Sequence, residues 1–123
     1  MEEGIKDYFP ERPWACRCGC GFDSVSPELV RRLNLARHLA GVPFGIRSAC
    51  RCPRHNQSEG GKDQSAHLTG EAVDISAGNS AQRYYILAGL MGARFRRIGL
   101  GANFIHADVA VHLPQDVVWT YKS

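Results

Sequence analysis

The chain has no apolar run long enough to cross a bilayer as a helix, so membrane insertion is not expected. Its opening, Met1-Glu2-Glu3-Gly4-Ile5-Lys6-Asp7, is charged and lacks the apolar h-region of a secretory signal peptide. The expectation is synthesis in the cytoplasm, with delivery by another route if the target lies outside the membrane. There is no internal repeat and no low-complexity segment, which excludes a solenoid or a long disordered tract. Excess charge of one sign is also scarce. The formal net charge is +3, and the basic cluster Arg94, Arg96 and Arg97 is interleaved with the strand-like Phe95 and Ile98. That footprint is too thin to expect a nucleic-acid partner. C-x-x-C pairs are missing as well, which removes the spacing of a thioredoxin-like redox motif.

What is present suits a small folded domain. A chain of 123 residues, 44% of them hydrophobic, makes one domain over 1–123 with a single core. Five cysteines are many for a cytosolic protein, and an odd number cannot all pair internally. Cys16, Cys18 and Cys20 form C-x-C-x-C, and Cys50 and Cys52 form C-x-C. Structural zinc sites favour two to four intervening residues, so the match to them is poor. A packed cluster with one disulfide between the groups, a structural metal site and free thiols all stay open. Either linkage would tie the N-terminal segment to the loop after residue 48.

Pro10, Pro13 and the Cys-Gly run leave residues 1–25 irregular. Ser26-Pro27-Glu28 predicts a helix start: a serine cap, proline in the first position, an acid in the first turn. Leu29, Leu33, Ala36 and Ala40 follow at helical spacing, and Gly41 closes the helix. Strands are predicted over 43–48, 71–75, 95–100, 104–109 and 117–121, with residues 49–64 a long polar loop. Asn79-Ser80 caps a second helix ending near Gly92, with Tyr84, Leu87, Leu90 and Met91 inward. The fold class is α+β, a small antiparallel sheet packed on two helices.

Side-chain alternation assigns the chemistry. Phe104, His106 and Asp108 share one strand face, while Ile105, Ala107 and Val109 share the apolar other. Ala72 and Asp74 likewise face away from Glu71, Val73 and Ile75. If the two strands are neighbours, Asp74 and His106 converge, and His67 enters from the preceding loop. Two imidazoles and a carboxylate suit a zinc ion with its fourth position open to water. A lone histidine is more often packed or solvated than ligating. His38 on the first helix, His55 in the polar loop and His112 beyond the strand are read that way.

Ser65-Ala66-His67-Leu68-Thr69-Gly70-Glu71-Ala72-Val73-Asp74 resembles the S-x-H-x-x-G-x-A-x-D motif of the zinc D-Ala-D-Ala carboxypeptidases. That superfamily includes the vancomycin-resistance D,D-dipeptidases, phage L-alanyl-D-glutamate endopeptidases and the hedgehog signalling domain. Arg17-Cys18-Gly19-Cys20-Gly21, the segment Ile46 to Asn56, Gly60-Gly61, Phe104 to Asp108 and Trp119 resemble a small phage- or prophage-type branch. The elements fall in order over residues 16–119.

The resemblance implies that His67, Asp74 and His106 bind Zn2+ and that the chain is a zinc-dependent metallopeptidase, a carboxypeptidase or endopeptidase. It implies that Arg51 stabilises the oxyanion, with a surface salt bridge as the alternative. Ser65 would bind substrate or brace the site, with a plain turn hydroxyl as the alternative. The implied substrate is the peptidoglycan stem peptide, met at the cell wall after release or as part of a phage particle, by a monomer. A non-catalytic zinc- and wall-binding module is the competing expectation. One departure motivates it. Many relatives carry a catalytic acid three residues before the last zinc histidine, or a histidine two before; here those positions are Asn103 and Phe104. Asp108 is the nearest replacement as general base. Its other role would be to accept the free N–H of His106 and fix the ring. Trp119 and Tyr121 are candidates to line the groove, with core packing favoured for Trp119.

Overall fold

Ser26 accepts a hydrogen bond on Oγ from the Leu29 N–H (3.3 Å) and starts helix α1, Pro27–Ala40. Gly41, at φ 70°, ends it with its N–H on the Arg37 carbonyl. In the first turn Glu28 accepts from Arg31 and Arg32, which hold its carboxyl down at about 2. The computed structural model describes residues 4–121; the charged start at residues 1–3 and residues 122–123 lie outside it. No helix among the described residues is long and apolar enough to cross a membrane.

After α1 come β1 (Ile46–Ser48), α2 (Pro53–Ser58), a 3-10 turn (Ala66–Thr69) and β2 (Ala72–Ser76). Then follow α3 (Ser80–Gly92), β3 (Arg97–Leu100), β4 (Phe104–Asp108) and β5 (Val117–Thr120). The architecture is α+β, with a five-stranded sheet in the order β1-β2-β4-β3-β5. β1, β2, β4 and β3 pair antiparallel, but β5 runs parallel to β3. The sheet is therefore mixed, not antiparallel throughout. Both edges of β4 are taken by β2 and β3, so the returning chain adds to the free edge of β3. A chain that has reversed after β4 necessarily runs the way β3 does.

The long polar loop also contains more structure than its composition predicts. Pro53 opens α2, and the Cys52 sulfur accepts from the His55 N–H at 3.5 Å in place of an oxygen cap. Cysteine is not a residue that flags a helix start.

Leu29 and Leu33 of α1, Ile86 and Leu90 of α3, and Val73, Ile75, Ile98, Ile105 and Ala107 of the sheet form one core. Each large aliphatic side chain so buried contributes about 1.5–3 kcal/mol. Phe9 and Trp14 from the irregular N-terminal segment join it. On α3 the inward face is Ile86, Gly89 and Leu90, whereas Tyr84 and Met91, expected inside, are exposed. Gly89 decides this. It rides on Ala36 and Ala40 of α1, where an added Cβ would sit 2.4 Å from the Ala36 carbonyl oxygen. The helix turns its smallest residue, not its largest, toward its neighbour.

Candidate metal centre

With Val73, Ile75, Ile105 and Ala107 committed to the core, alternation puts Asp74 and His106 on the opposite sheet face. The register sets these two directly across from each other on β2 and β4. The row continues to Ser48 beside Asp74, Gly99 beside His106 and Trp119 beside Gly99. The neighbouring row is Ala72, Asp108, Arg97 and Val117. Two adjacent rows of one sheet thus present a carboxylate, an imidazole, a second carboxylate and a guanidinium.

His67 arrives from the 3-10 turn. Ser65 caps that turn, its Oγ accepting from the His67 N–H at 3.2 Å. The His67 Nδ1 lies 2.6 Å from the Ala49 carbonyl oxygen. A carbonyl only accepts, so Nδ1 carries the hydrogen and Nε2 is the free nitrogen. That Nε2 is 3.3 Å from Asp74 Oδ1. His106 is held the other way round. Its Nε2 donates to Asp108 Oδ2 at 2.7 Å, and its Nδ1 is 3.0 Å from the same Asp74 Oδ1.

The three side chains, all buried, offer ligand atoms within 4.8 Å of one another. A tetrahedral ion with bonds of about 2.0–2.1 Å has edges near 3.3–3.4 Å, so these separations fit zinc. Protonation behaviour fits too. Burial opposes a charged His106, but its hydrogen bonds to Asp108 and Asp74 outweigh that and raise its pKa. Burial lowers the pKa of His67, against the pull of Asp74. Burial would raise the Asp74 carboxyl, yet hydrogen bonds from His106 and His67 hold it well below the usual carboxylate range. A divalent ion held by these atoms would require both imidazoles to be neutral at the ligating nitrogen.

Arg51 completes the Asp74 environment. Its Nη2 donates to Asp74 Oδ2 at 2.8 Å, which leaves only Oδ1 toward the imidazoles. Its Nε donates to Ser48 Oγ (3.0 Å) and its Nη1 to Asn56 Oδ1 (3.3 Å). The Arg51 side chain is 11% exposed, so this is a pair within the site and not on the surface. Asp108 is 1% exposed. Its Oδ1 accepts from Arg97 Nε (2.8 Å) and the Ala110 N–H (3.1 Å), and its Oδ2 from His106.

A cavity of about 740 Å³ opens over this face. Arg51, Ser65, His67, Asp74, His106 and Asp108 line it, with Glu59, Phe104, Trp119 and Tyr121. Trp119 is on the cavity wall, its ring 5.3 Å from the His106 ring and under the Arg97 guanidinium at 5.0 Å. Glycine at 99 makes this possible, because a Cβ there would lie 2.7 Å from the Trp119 ring atoms. Burial pushes the Tyr121 hydroxyl up to about 12, so it remains a hydrogen-bond donor at neutral pH.

Other candidates stay outside. Glu71 turns away and accepts from the Thr69 hydroxyl. His38 is exposed and meets the Tyr8 hydroxyl at 3.0 Å, and His112 is exposed beyond β4. Asn103 lies in the β3–β4 turn, where its Oδ1 accepts from Arg47. Sequence reasoning missed Arg97, Asn56 and the Ala49 carbonyl. Arg97 had a usable signal, because it shares strand parity with Gly99 and pairs with Asp108 once β3 and β4 form a hairpin.

The chain matches the family model described as Peptidase M15 over residues 8–108. It belongs to the peptidase M15 family. The matched span contains Arg51, Ser65, His67, Asp74, His106 and Asp108 and stops short of Trp119 and Tyr121. Membership in the M15 family makes the chain a hydrolase of the metallopeptidase class. No curated protein matches the chain.

Proposed function

We propose that this M15 member is a zinc peptidase that hydrolyses peptide bonds of peptidoglycan stem peptides, as a D,D-carboxypeptidase or an endopeptidase. The observation that carries the reading is the donor set. Two imidazoles held in complementary tautomers and one carboxylate oxygen share a point at the base of a cavity of about 740 Å³. Zinc, when bound by three such ligands, lowers the pKa of its water to about 7 and polarises a carbonyl.

The chain's own residues do the rest. His67 and His106 present Nε2 and Nδ1 because the Ala49 carbonyl and Asp108 occupy their other nitrogens. Asp74 presents one oxygen because Arg51 holds the second. The Arg51 guanidinium also lines the cavity, where it stabilises charge developing on the substrate carbonyl oxygen. Ser65 uses its oxygen to cap the His67 turn, which leaves its hydroxyl hydrogen for substrate. Asp108 is a positioning residue for His106, since both its oxygens are engaged and it is buried. Phe104, Trp119 and Tyr121 provide an apolar wall for a stem-peptide side chain.

The engaged state of Asp108 and the non-acidic pair Asn103 and Phe104 favour one competing reading, a zinc- and wall-binding module without hydrolysis. The deciding experiment is incubation of the zinc-loaded protein with purified peptidoglycan. The peptidase reading expects new amino groups, absent with His67→Ala or His106→Ala, and mass spectrometry of the fragments then assigns the bond. Zinc retention with wall co-sedimentation and no release would favour the module. Equal activity of metal-free protein would refute the zinc peptidase.

A further inference from the structure

Four sulfur atoms outside the cavity, those of Cys16, Cys18, Cys20 and Cys52, lie within 4.8 Å of one another. Cys16 Sγ is 3.4 Å from Cys18 Sγ, and Cys18 Sγ is 3.6 Å from Cys52 Sγ. All five cysteines are unpaired thiols. In an extended strand, residues two apart sit roughly 6.5 Å from each other on one face. A C-x-C-x-C run therefore gathers its sulfurs only if the backbone folds back on itself. It does so here. The Gly19 N–H donates to the Cys16 carbonyl (3.2 Å), and the Cys16 N–H donates to the Phe22 carbonyl (2.7 Å). Gly19 and Gly21 adopt φ of 83° and 91°, which other residues resist.

The sulfurs also have an outer shell of donors. The Cys52 N–H points at Cys16 Sγ (3.4 Å) and the His55 N–H at Cys52 Sγ (3.5 Å). Such N–H groups favour sulfur as thiolate. A tetrahedral zinc with Zn–S bonds of about 2.3 Å has S–S edges near 3.8 Å, close to the separations observed.

We propose that Cys16, Cys18, Cys20 and Cys52 bind a structural zinc ion, distinct from the metal of the His67, Asp74 and His106 group. Four thiolates close the coordination shell, so no position is left for water and the site is not catalytic. Binding involves no oxidation; each thiol that becomes a ligand gives up its proton. The ion would clamp the N-terminal segment to the start of α2. Arg51 sits between Cys50 and Cys52, with the Cys50 N–H on the Trp14 carbonyl and the Arg51 N–H on the His67 carbonyl. The clamp would thus hold the backbone that aims Arg51 at Asp74.

The test is metal stoichiometry and thiol protection on the whole protein, purified under reducing conditions and loaded with zinc. The expected content is two zinc ions per chain. Cys18→Ser with Cys52→Ser should lose one, and His67→Ala should lose the other. A failed catalytic-site reading would instead leave wild type with one ion that His67→Ala retains and the cysteine variant loses. Because the cysteine variant could fail to fold, wild-type thiols are also titrated. The four cluster thiols should react only after chelation, and cobalt in place of zinc should give an intense thiolate-to-metal charge-transfer band. Thiols that react equally with zinc bound, or a disulfide joining Cys52 to the N-terminal group under these conditions, would overturn the proposal.

Discussion

The histidine centre and the cysteine cluster are built on opposite principles. His106 and Asp74 sit opposite each other because strand pairing puts them there, and the aliphatic core behind the sheet holds that register. Slipping β4 by one residue would drive His106 into the core and Ile105 into the cavity, and slipping β2 would do the same to Asp74 and its neighbours. The cysteines of the cluster lie on turns with graded exposure: Cys16 is buried, Cys52 half-buried, and Cys18 and Cys20 exposed. The first site is organised before any ion arrives. The second is gathered by local turns and their hydrogen bonds, with no sheet register behind it. If zinc binds at both, a centre that keeps one position open would gain from the rigidity of the sheet, whereas a closed structural site would add order of its own.

The sharpest break of this comparison is removal of one ligand at each site. His67→Ala is expected to reduce peptidoglycan hydrolysis to background while hydrogen exchange of β2 and β4 stays protected. Chelation of the wild type should deprotect residues 14–22 and 50–58 and spare the strands. Uniform loss of protection across the sheet would show that the histidine centre is not preorganised. Next in size is Arg51→Ala, expected to lower kcat by about 10²–10³-fold if the guanidinium meets the developing charge. A change confined to KM would reduce Arg51 to a partner of Asp74. Smaller still, Asp108→Asn should weaken zinc binding at the histidine centre by about 10–100-fold. Competition with a chelator reads this directly, and metal affinity at the cysteine cluster should be unaffected.

The smallest effect concerns neither site and calibrates the rest. Glu28 is depressed to about 2 in the folded chain by hydrogen bonds from Arg31 and Arg32. A depressed carboxyl contributes stability above its unfolded pKa, and that contribution is lost as pH falls through the folded value. The window therefore runs from about 4.5 down to about 2. The side chain is 43% exposed, so solvent screening keeps the worth small. Glu28→Gln should cost about 0.5 kcal/mol at neutral pH in denaturant unfolding and nothing once Glu28 is protonated.

Local signals were legible wherever the physics is local. Ser26, Pro27 and Gly41 mark the ends of α1 because capping needs only neighbouring atoms, and Asn79 marks α3 in the same way. Alternation over Phe104 to Asp108 separated core from cavity because a strand has period two. The face of α3 was not legible in this way. Large apolar residues surround that helix, and the packing of Gly89 on Ala36 selects among them. Nor was the start of α2, which uses sulfur as its cap, or the gathering of C-x-C-x-C sulfurs, which depends on turns at Gly19 and Gly21. Trp119 reads as core from hydrophobicity alone, yet it packs over Gly99 on the cavity wall.

By itself the sequence determined which residues could do chemistry and which strand face each would occupy, because side-chain type and backbone period are properties of a short segment. Only the tertiary structure decided who meets whom. Asp74 faces His106, Arg97 reaches Asp108, and Arg51 takes one oxygen of Asp74 while two imidazoles share the other. Those contacts follow from strand order and register, which are set by burying one common apolar face and not by any single stretch of chain.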